Sequence, residues 1–306
     1  MKLKIKNKHI LTLDELDSKE IEHLLELAIE LKKQQKKGNE KPVLQGKTLA
    51  MIFEKPSTRT RVSFEVGMLQ LGGHAITLSS DNLQTSRGET ISDTAKALSR
   101  YVDVIMARVY EHETLEKLAE HATVPIINGL SDSYHPCQIL ADLMTIKEHK
   151  KNLKKVKIAW IGDGNNVCNS LILGCSKLNI KISVATPDGF EPSNIAVSTA
   201  KLHTEIEITN DPSKAVEDAD VVMTDTFVSI HNDEKDRLEK FLPKFQVNSD
   251  LMKKAKKDAI FLHCLPAKRD QEVTGDVIDG SQSVVWDEAE NRLHVQKALL
   301  LSLLNV

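Results

Sequence analysis

Short apolar runs alternate with helical stripes along almost the whole chain, and this rhythm leaves few folds open. Apolar runs that read as strands fall at 48–53, 74–78, 103–108 and 124–127, then at 156–161, 181–186, 205–209, 220–225 and 259–263. Helical patterns between and after them cover 58–71, 91–101, 113–121 and 136–149. Strands alternating with helices build parallel sheets covered by helices on both faces. The expected class is therefore α/β, as two doubly wound parallel-sheet domains with an active-site cleft between them. A chain of 306 residues suits two domains of ordinary size. The lysine-rich stretch 150–157 reads as their junction, dividing the chain into 1–149 and 150–286. A final amphipathic helix, Trp286 to Leu304, is expected, with residues 287–306 packing back on the first domain. Local signals agree: Asp17-Ser18-Lys19-Glu20 has the form of a capping box, Gly72-Gly73 that of a helix stop, and Pro136 suits a first helical position.

The densest chemistry lies at the first strand-to-helix turn, Phe53-Glu54-Lys55-Pro56-Ser57-Thr58-Arg59-Thr60-Arg61. Val62, Val66 and Leu69 follow at the spacing of one helix face. First-turn N–H groups lack partners and the helix dipole is positive there, so the place suits an anion. A Ser or Thr before a helix is ordinarily only a cap. Two arginines crowded at the positive end of a dipole repel it unless an anion arrives, and they offer charge-assisted, bidentate bonds when one does.

Ligands in open parallel sheets sit beyond the carboxyl ends of the strands. Reading those ends in turn gives Gln84, Arg87 and Glu89 after 74–78, Arg108 at the end of 103–108, and His135-Pro136-Cys137-Gln138 after 124–127. Gly162-Asp163-Gly164-Asn165-Asn166 follows 156–161, Asp225 with Ser229 closes 220–225, and His263-Cys264-Leu265-Pro266 closes 259–263. Polar groups at so many strand ends point to an enzyme.

Bulk composition excludes other classes. The chain is 41% hydrophobic and 28% charged with a formal net charge of −3, which argues against a nucleic-acid binder driven by electrostatics. The lysine-rich stretches 31–41, 147–157 and 253–257 read as solvated helix ends and linkers. No apolar run is long enough to span a membrane, and Met1 to His9 lacks the apolar region of a signal peptide. Four cysteines in a chain of this length make no disulfide framework, and a cytoplasmic location is expected.

Together, Phe53 to Arg61 and His135-Pro136-Cys137-Gln138 resemble the aspartate/ornithine carbamoyltransferase family over essentially the whole length. His263-Cys264-Leu265-Pro266 and Gly162 to Asn166 resemble its ornithine branch. The resemblance implies a carbamoyl phosphate-binding first domain and an ornithine-binding second domain. The implied reaction moves the carbamoyl group of carbamoyl phosphate to the side-chain amine of L-ornithine, giving L-citrulline and phosphate in arginine metabolism, with neither metal nor organic cofactor. By the same resemblance Ser57, Thr58, Arg59 and Thr60 hold the phosphate, and Arg108 spans phosphate and carbonyl oxygen. His135 bonds that oxygen and Gln138 the carbamoyl nitrogen. Arg108, His135, Cys264 and Thr60 are the expected catalytic group. Cys264, Leu265 and Arg292 close the carbamoyl phosphate site, and Gln84 reaches the neighbouring subunit's site in a homotrimer. Asn166, Asp225, Ser229 and Ile230 match ornithine-binding positions.

Asp225 suits a cationic second substrate, although an Asp at a strand end is more often a cap or turn former. The ornithine branch commonly has Ser-Met-Gly where this chain has Ser229-Ile230-His231, so a carbamoyltransferase for putrescine or a modified ornithine is the alternative reading. Gly162-Asp163-Gly164 is too incomplete for a dinucleotide fingerprint. His135 with Cys137, and His263 with Cys264, lack structural zinc spacing, and adjacent His263 and Cys264 would point apart if both lay on a strand. Cys168 and Cys175, seven apart on a helical stretch, read as small core residues. A binding protein that kept only the fold would be expected to have lost several of these site residues.

Overall fold

The computed structural model describes residues 5–79, 83–228 and 235–306. The chain forms two compact units, one running to Met144 and including Glu290–Val306, the other spanning Thr145–Ala289. The first contains α1 (Ser18–Lys36), β1 (Thr48–Phe53), α2 (Thr58–Gln70), β2 (His74–Ser79), α3 (Ile91–Leu98), β3 (Val104–Arg108), α4 (His112–His121) and β4 (Ile126–Leu130). Helix α5 (Pro136–Lys150) follows, and the unit boundary falls inside it. The second unit contains β5 (Lys157–Ile161), α6 (Asn166–Leu178), β6 (Lys181–Ala185), α7 (Asn194–Lys201), β7 (Ile206–Thr209), α8 (Pro212–Val216) and β8 (Val221–Thr224). It continues through α9 (Lys235–Phe241), α10 (Ser249–Met252), β9 (Ile260–His263) and α11 (Gly275–Ile278) to α12 (Val285–Leu303), which contains the second boundary.

Both sheets are parallel. Their strand orders are β2-β1-β3-β4 and β7-β6-β5-β8-β9. Strand order therefore reverses between β1 and β3 in the first sheet, and between β5 and β8 in the second. Such switch points are where parallel sheets open a crevice for ligands. The register pairs Phe53 with Arg108 at the first of them.

The central apolar runs form buried strands: every residue of β1 after Thr48 is in the core, as are the first four of β3, while the edge strands β2 and β7 stay partly exposed. Helix α1 carries the capping box: Asp17 accepts from Glu20 N–H, and Glu20 accepts from Asp17 N–H. Helix α6 is buried almost throughout, and Cys168 and Cys175 are core residues whose thiols burial pushes up, Cys175 beyond the usual range.

Three local readings are corrected. Strand β4 covers Ile126–Leu130 rather than 124–127. Pro125 has no N–H for the ladder, and Asn128-Gly129, which looks like a turn, lies inside the strand because the buried Asn128 amide donates to Leu11 O (2.8 Å) and Tyr134 O (3.3 Å). Helix α3 stops at Leu98, where Ser99 Oγ bonds back to Ala95 O (2.7 Å). The stripe Val62, Val66, Leu69 is not the packing face of α2: Phe64, Gly67 and Met68 are buried, while Val62 and Leu69 stay 51% and 72% exposed.

Candidate active site

In the first unit the site grows from the two strand ends at the switch point. Glu54 N–H donates to Arg108 O (2.9 Å), and the Glu54 carboxylate accepts from Tyr110 N–H (2.7 Å), tying the turns after β1 and β3 together. Ser57 is the N-cap of α2. Its Oγ accepts from Thr60 N–H (3.3 Å) and donates to Thr60 Oγ1 (3.1 Å). The first turn of α2 holds no acidic residue and carries instead the cationic side chains of Arg59 and Arg61. Thr58 and Arg61 are exposed and Arg59 partly so; Arg61 lies 3.5 Å from Glu65 one turn on.

Arg292, reaching in from the C-terminal segment of the same unit, is the buried organiser. One terminal nitrogen donates to Thr60 Oγ1 and the other to Gln138 Oε1, both at 2.8 Å. Gln138 in turn donates to Asp142 Oδ1 (2.8 Å). The planar fork of a guanidinium can serve two acceptors on different helices at once; an ammonium is a poor substitute. His135 precedes α5 and is buried. Burial, then the charges of Arg292, Arg108 and Arg59, holds its pKa well below the ordinary value. Burial and the neighbouring positive charges thus both favour the uncharged imidazole.

Lys55, which carried no role in the sequence reading, is also buried here, with its ammonium 3.9 Å from the Tyr110 ring centroid. Burial and the neighbouring Arg108 bring its pKa down to about 8. Its position inside the Phe53–Arg61 run was the available signal. Gln84 is exposed on a 3-10 turn over Gln84–Arg87 and is not part of the Ser57–Thr60–Arg292–Gln138 network.

The second unit gathers its residues at its own switch point. Asp225, buried just beyond β8, accepts from Asn165 Nδ2 (2.8 Å), Thr226 N–H (2.7 Å) and the Cys264 thiol (3.1 Å). Asn165 also caps α6, taking the N–H groups of Val167 and Cys168 at 3.0 and 3.1 Å. The sequence reading chose Asn166 for this loop; the structure makes Asn165 the residue that touches Asp225, while the Asn166 side chain accepts from Val167 N–H (3.0 Å). An Asn before a helix reads as a cap, which concealed the second role. The glycines of this loop serve packing: Gly162 has φ +123°, and a Cβ on Gly164 would lie 2.2 Å from Pro192 N. The Asp163 carboxylate is bonded to Arg237, whose guanidinium lies over the Phe190 ring; burial still raises Asp163 to about 6. Ser229, Ile230 and His231 lie outside the described residues.

Ligand atoms of Asp225, His263 and Cys264 lie within 4.8 Å of one another. Strand β9 ends at His263, so Cys264 lies off the strand, and the alternation that would have pointed the two side chains apart does not apply. The cluster is nevertheless poorly suited to a metal, because both His263 nitrogens are engaged, Nδ1 by Leu265 N–H (2.9 Å) and Nε2 by Glu272 (3.2 Å).

The chain belongs to the aspartate/ornithine carbamoyltransferase family: residues 8–148 match its carbamoyl-P binding domain and residues 154–303 its Asp/Orn binding domain. It is 63% identical over 302 residues to an ornithine carbamoyltransferase of Cenarchaeum symbiosum, covering 98% of this chain and 99% of that one. It is 54% identical over 304 residues to the Bacillus subtilis ornithine carbamoyltransferase, covering 97% and 94%. The solved ornithine carbamoyltransferase from Pyrococcus furiosus superposes with a TM-score of 0.94 at 53% identity, covering 98% of this chain and 97% of that one.

Proposed function

We propose that this protein transfers the carbamoyl group of carbamoyl phosphate to the side-chain amine of L-ornithine, giving L-citrulline and phosphate. The observation that carries the reading is the buried guanidinium of Arg292, bonded to Thr60 in the first turn of α2 and to Gln138 on α5. The guanidinium groups of Arg59 and Arg292 at a helix N-terminus whose first turn holds no acidic residue call for an anionic ligand with several oxygens. In this proposal the first unit is the carbamoyl phosphate-binding domain. Ser57, Thr58, Arg59 and Thr60 take the phosphate, Arg108 spans phosphate and carbonyl oxygen, and Arg292 fixes Thr60 and Gln138. Leu265, with Cys264, closes over the carbamoyl group.

The second unit is then the ornithine-binding domain. Asp225 meets the α-ammonium, with Asn166, Ser229 and Ile230 as its companions. The amine attacks the carbonyl carbon, and negative charge builds on the carbonyl oxygen. Donors already in place, Arg108, His135 and Thr60, stabilise that charge most in the tetrahedral state. Neutral His135 donates a hydrogen bond without adding a further cation. The C–O bond to phosphate breaks, phosphate leaves towards Arg59 and Arg108, and it accepts the amine proton. Catalysis is then chiefly positioning and electrostatics.

We further propose a homotrimer with shared sites, located in the cytoplasm. No helix among the described residues is long and apolar enough to cross a membrane.

The test is citrulline formation with ornithine, putrescine, N-acetylornithine and aspartate offered in parallel. A site built to pair polar groups rejects an analogue that leaves them unpaired, so ornithine is expected to exceed putrescine by at least about a hundredfold in kcat/KM. Near-equal values would favour the reading suggested by Ser229-Ile230-His231, a carbamoyltransferase for another amine.

A further inference from the structure

The turn Cys264-Leu265 is held from behind by a buried acid–imidazole pair. Leu265 has φ +56°, a left-handed conformation that a branched, non-glycine residue adopts only where its surroundings impose it. Its N–H donates to His263 Nδ1 at 2.9 Å. Nδ1 therefore carries the lone pair and the ring proton sits on Nε2, which donates to Glu272 Oε1 at 3.2 Å. Glu272 Oε1 also accepts from Lys268 N–H (2.6 Å), and Glu288 Oε2 accepts from His263 N–H (2.8 Å). The side chains of His263 and Glu272 are wholly buried. Both ends of the segment from Leu265 to Lys268 are thus pinned to one carboxylate, directly or through the imidazole. The Cys264 thiol, between the pinned His263 and Leu265, is delivered to Asp225 at 3.1 Å.

We propose that His263 and Glu272 are positioning residues: Glu272 fixes the imidazole tautomer, and the imidazole fixes the strained Leu265 turn that sets Cys264 against Asp225. Its kinetic consequence rests on the function proposed above; its effect on the thiol does not. The two substitutions at His263 separate the roles. In His263→Asn the amide oxygen occupies the place of Nδ1 and keeps the acceptor for Leu265. In His263→Gln the amide reaches the place of Nε2 and loses that acceptor. Glu272→Gln keeps an oxygen for Lys268 and the imidazole, and Glu272→Leu keeps neither.

The experiment measures thiol modification by an aromatic disulfide reagent on the whole protein, with the labelled peptide identified by mass spectrometry. Cys264 is partly exposed and Cys137, Cys168 and Cys175 are buried, so the fast phase reports on Cys264. His263→Asn and Glu272→Gln are expected to react within about threefold of the parent, and His263→Gln and Glu272→Leu at least about tenfold faster, since access governs thiol reactivity. kcat/KM for ornithine is expected to fall about tenfold in the latter pair only. Equal rates in the Asn and Gln variants at His263, or changes in all four that merely follow their Tm, would overturn the proposal. If His263→Gln does not fold, the Glu272 pair decides by the same criterion. A parent that makes no citrulline would sink the functional reading and leave the thiol comparison intact.

Discussion

Arg59 and Arg292 bring the same guanidinium to the same helix end and act differently there. Arg292 is buried and its two nitrogens are committed to Thr60 and Gln138. Arg59 is partly exposed, in a first helical turn that holds no acidic residue. Arg59→Ala is therefore expected to leave Tm nearly unchanged and to weaken carbamoyl phosphate binding by about 1.5–3 kcal/mol, the worth of a charged hydrogen bond. Calorimetry with carbamoyl phosphate alone checks this, and unchanged affinity would place the phosphate elsewhere. Arg292→Lys has the opposite signature. A point charge cannot serve both acceptors, so Thr60 or Gln138 is left unsatisfied in the interior, and about 1–3 kcal/mol of stability is expected to go with it. A denaturant titration with no loss of midpoint would show that the fork is dispensable. At Asp225 the existing donors are neutral: an amide, a backbone N–H and a thiol. That leaves the carboxylate's charge for a cation, and Asp225→Asn is expected to impair ornithine use far more than carbamoyl phosphate binding.

At the scale of elements, the part of helix α12 from Glu290 onward belongs to the first unit and carries buried groups that titrate. His294 is fully buried, 3.7 Å from Glu290, and burial together with the charges of Lys297 and Lys32 lowers its pKa to about 4. An unfolded chain protonates this histidine below about 6.5. Between those values the unfolded state binds the extra proton, so the contribution of His294 is present above pH 6.5 and is lost as pH falls towards 4. His294→Gln is expected to flatten the decline of Tm over that range while leaving a residual slope, because burial also lowers His9 and His135. An unaltered slope would remove His294 from the account. The strands and the helix caps were legible in the sequence because each rests on local chemistry: an apolar run, a capping Asp17 or Ser57, a Pro136 at a first turn. What escaped rests on tertiary partners. Nothing local says that Asn128 would be satisfied by Leu11 and Tyr134 inside a strand, or that α2 would bury Phe64 and expose Leu69. The polar turn after β1 was readable because Phe53 to Arg61 are contiguous at one strand end. Asn165 was hidden behind its capping role, and Glu272 behind its distance in sequence from the turn it holds.

At the scale of the whole molecule, the proposed trimer is to be weighed against the exposed apolar residues of the first unit. Val62 and Leu69 on α2 and Ile76 on β2 are 51%, 72% and 49% exposed. Strand β2 is the edge of its sheet, and Gln84 stands on the turn that follows it. Large apolar side chains and a sheet edge left in water are a liability that self-association removes. The residue proposed to act in a neighbour's site lies next in sequence to that edge. A closed cyclic assembly uses a heterologous contact, in which one surface of each copy meets a different surface of the next. If Gln84 crosses such a contact, each site takes Arg108 from one copy and Gln84 from another. Arg108→Ala and Gln84→Ala proteins are then each nearly inactive alone. Mixed under subunit exchange in equal amounts, they are expected to recover activity, because about a quarter of randomly formed sites in a ring carry neither change. Light scattering should show a particle about three times the 34.2 kDa chain. Hybrids demonstrated by native mass spectrometry without recovered citrulline formation would show that each copy completes its own site, and Val62 and Leu69 of α2 would then serve assembly alone.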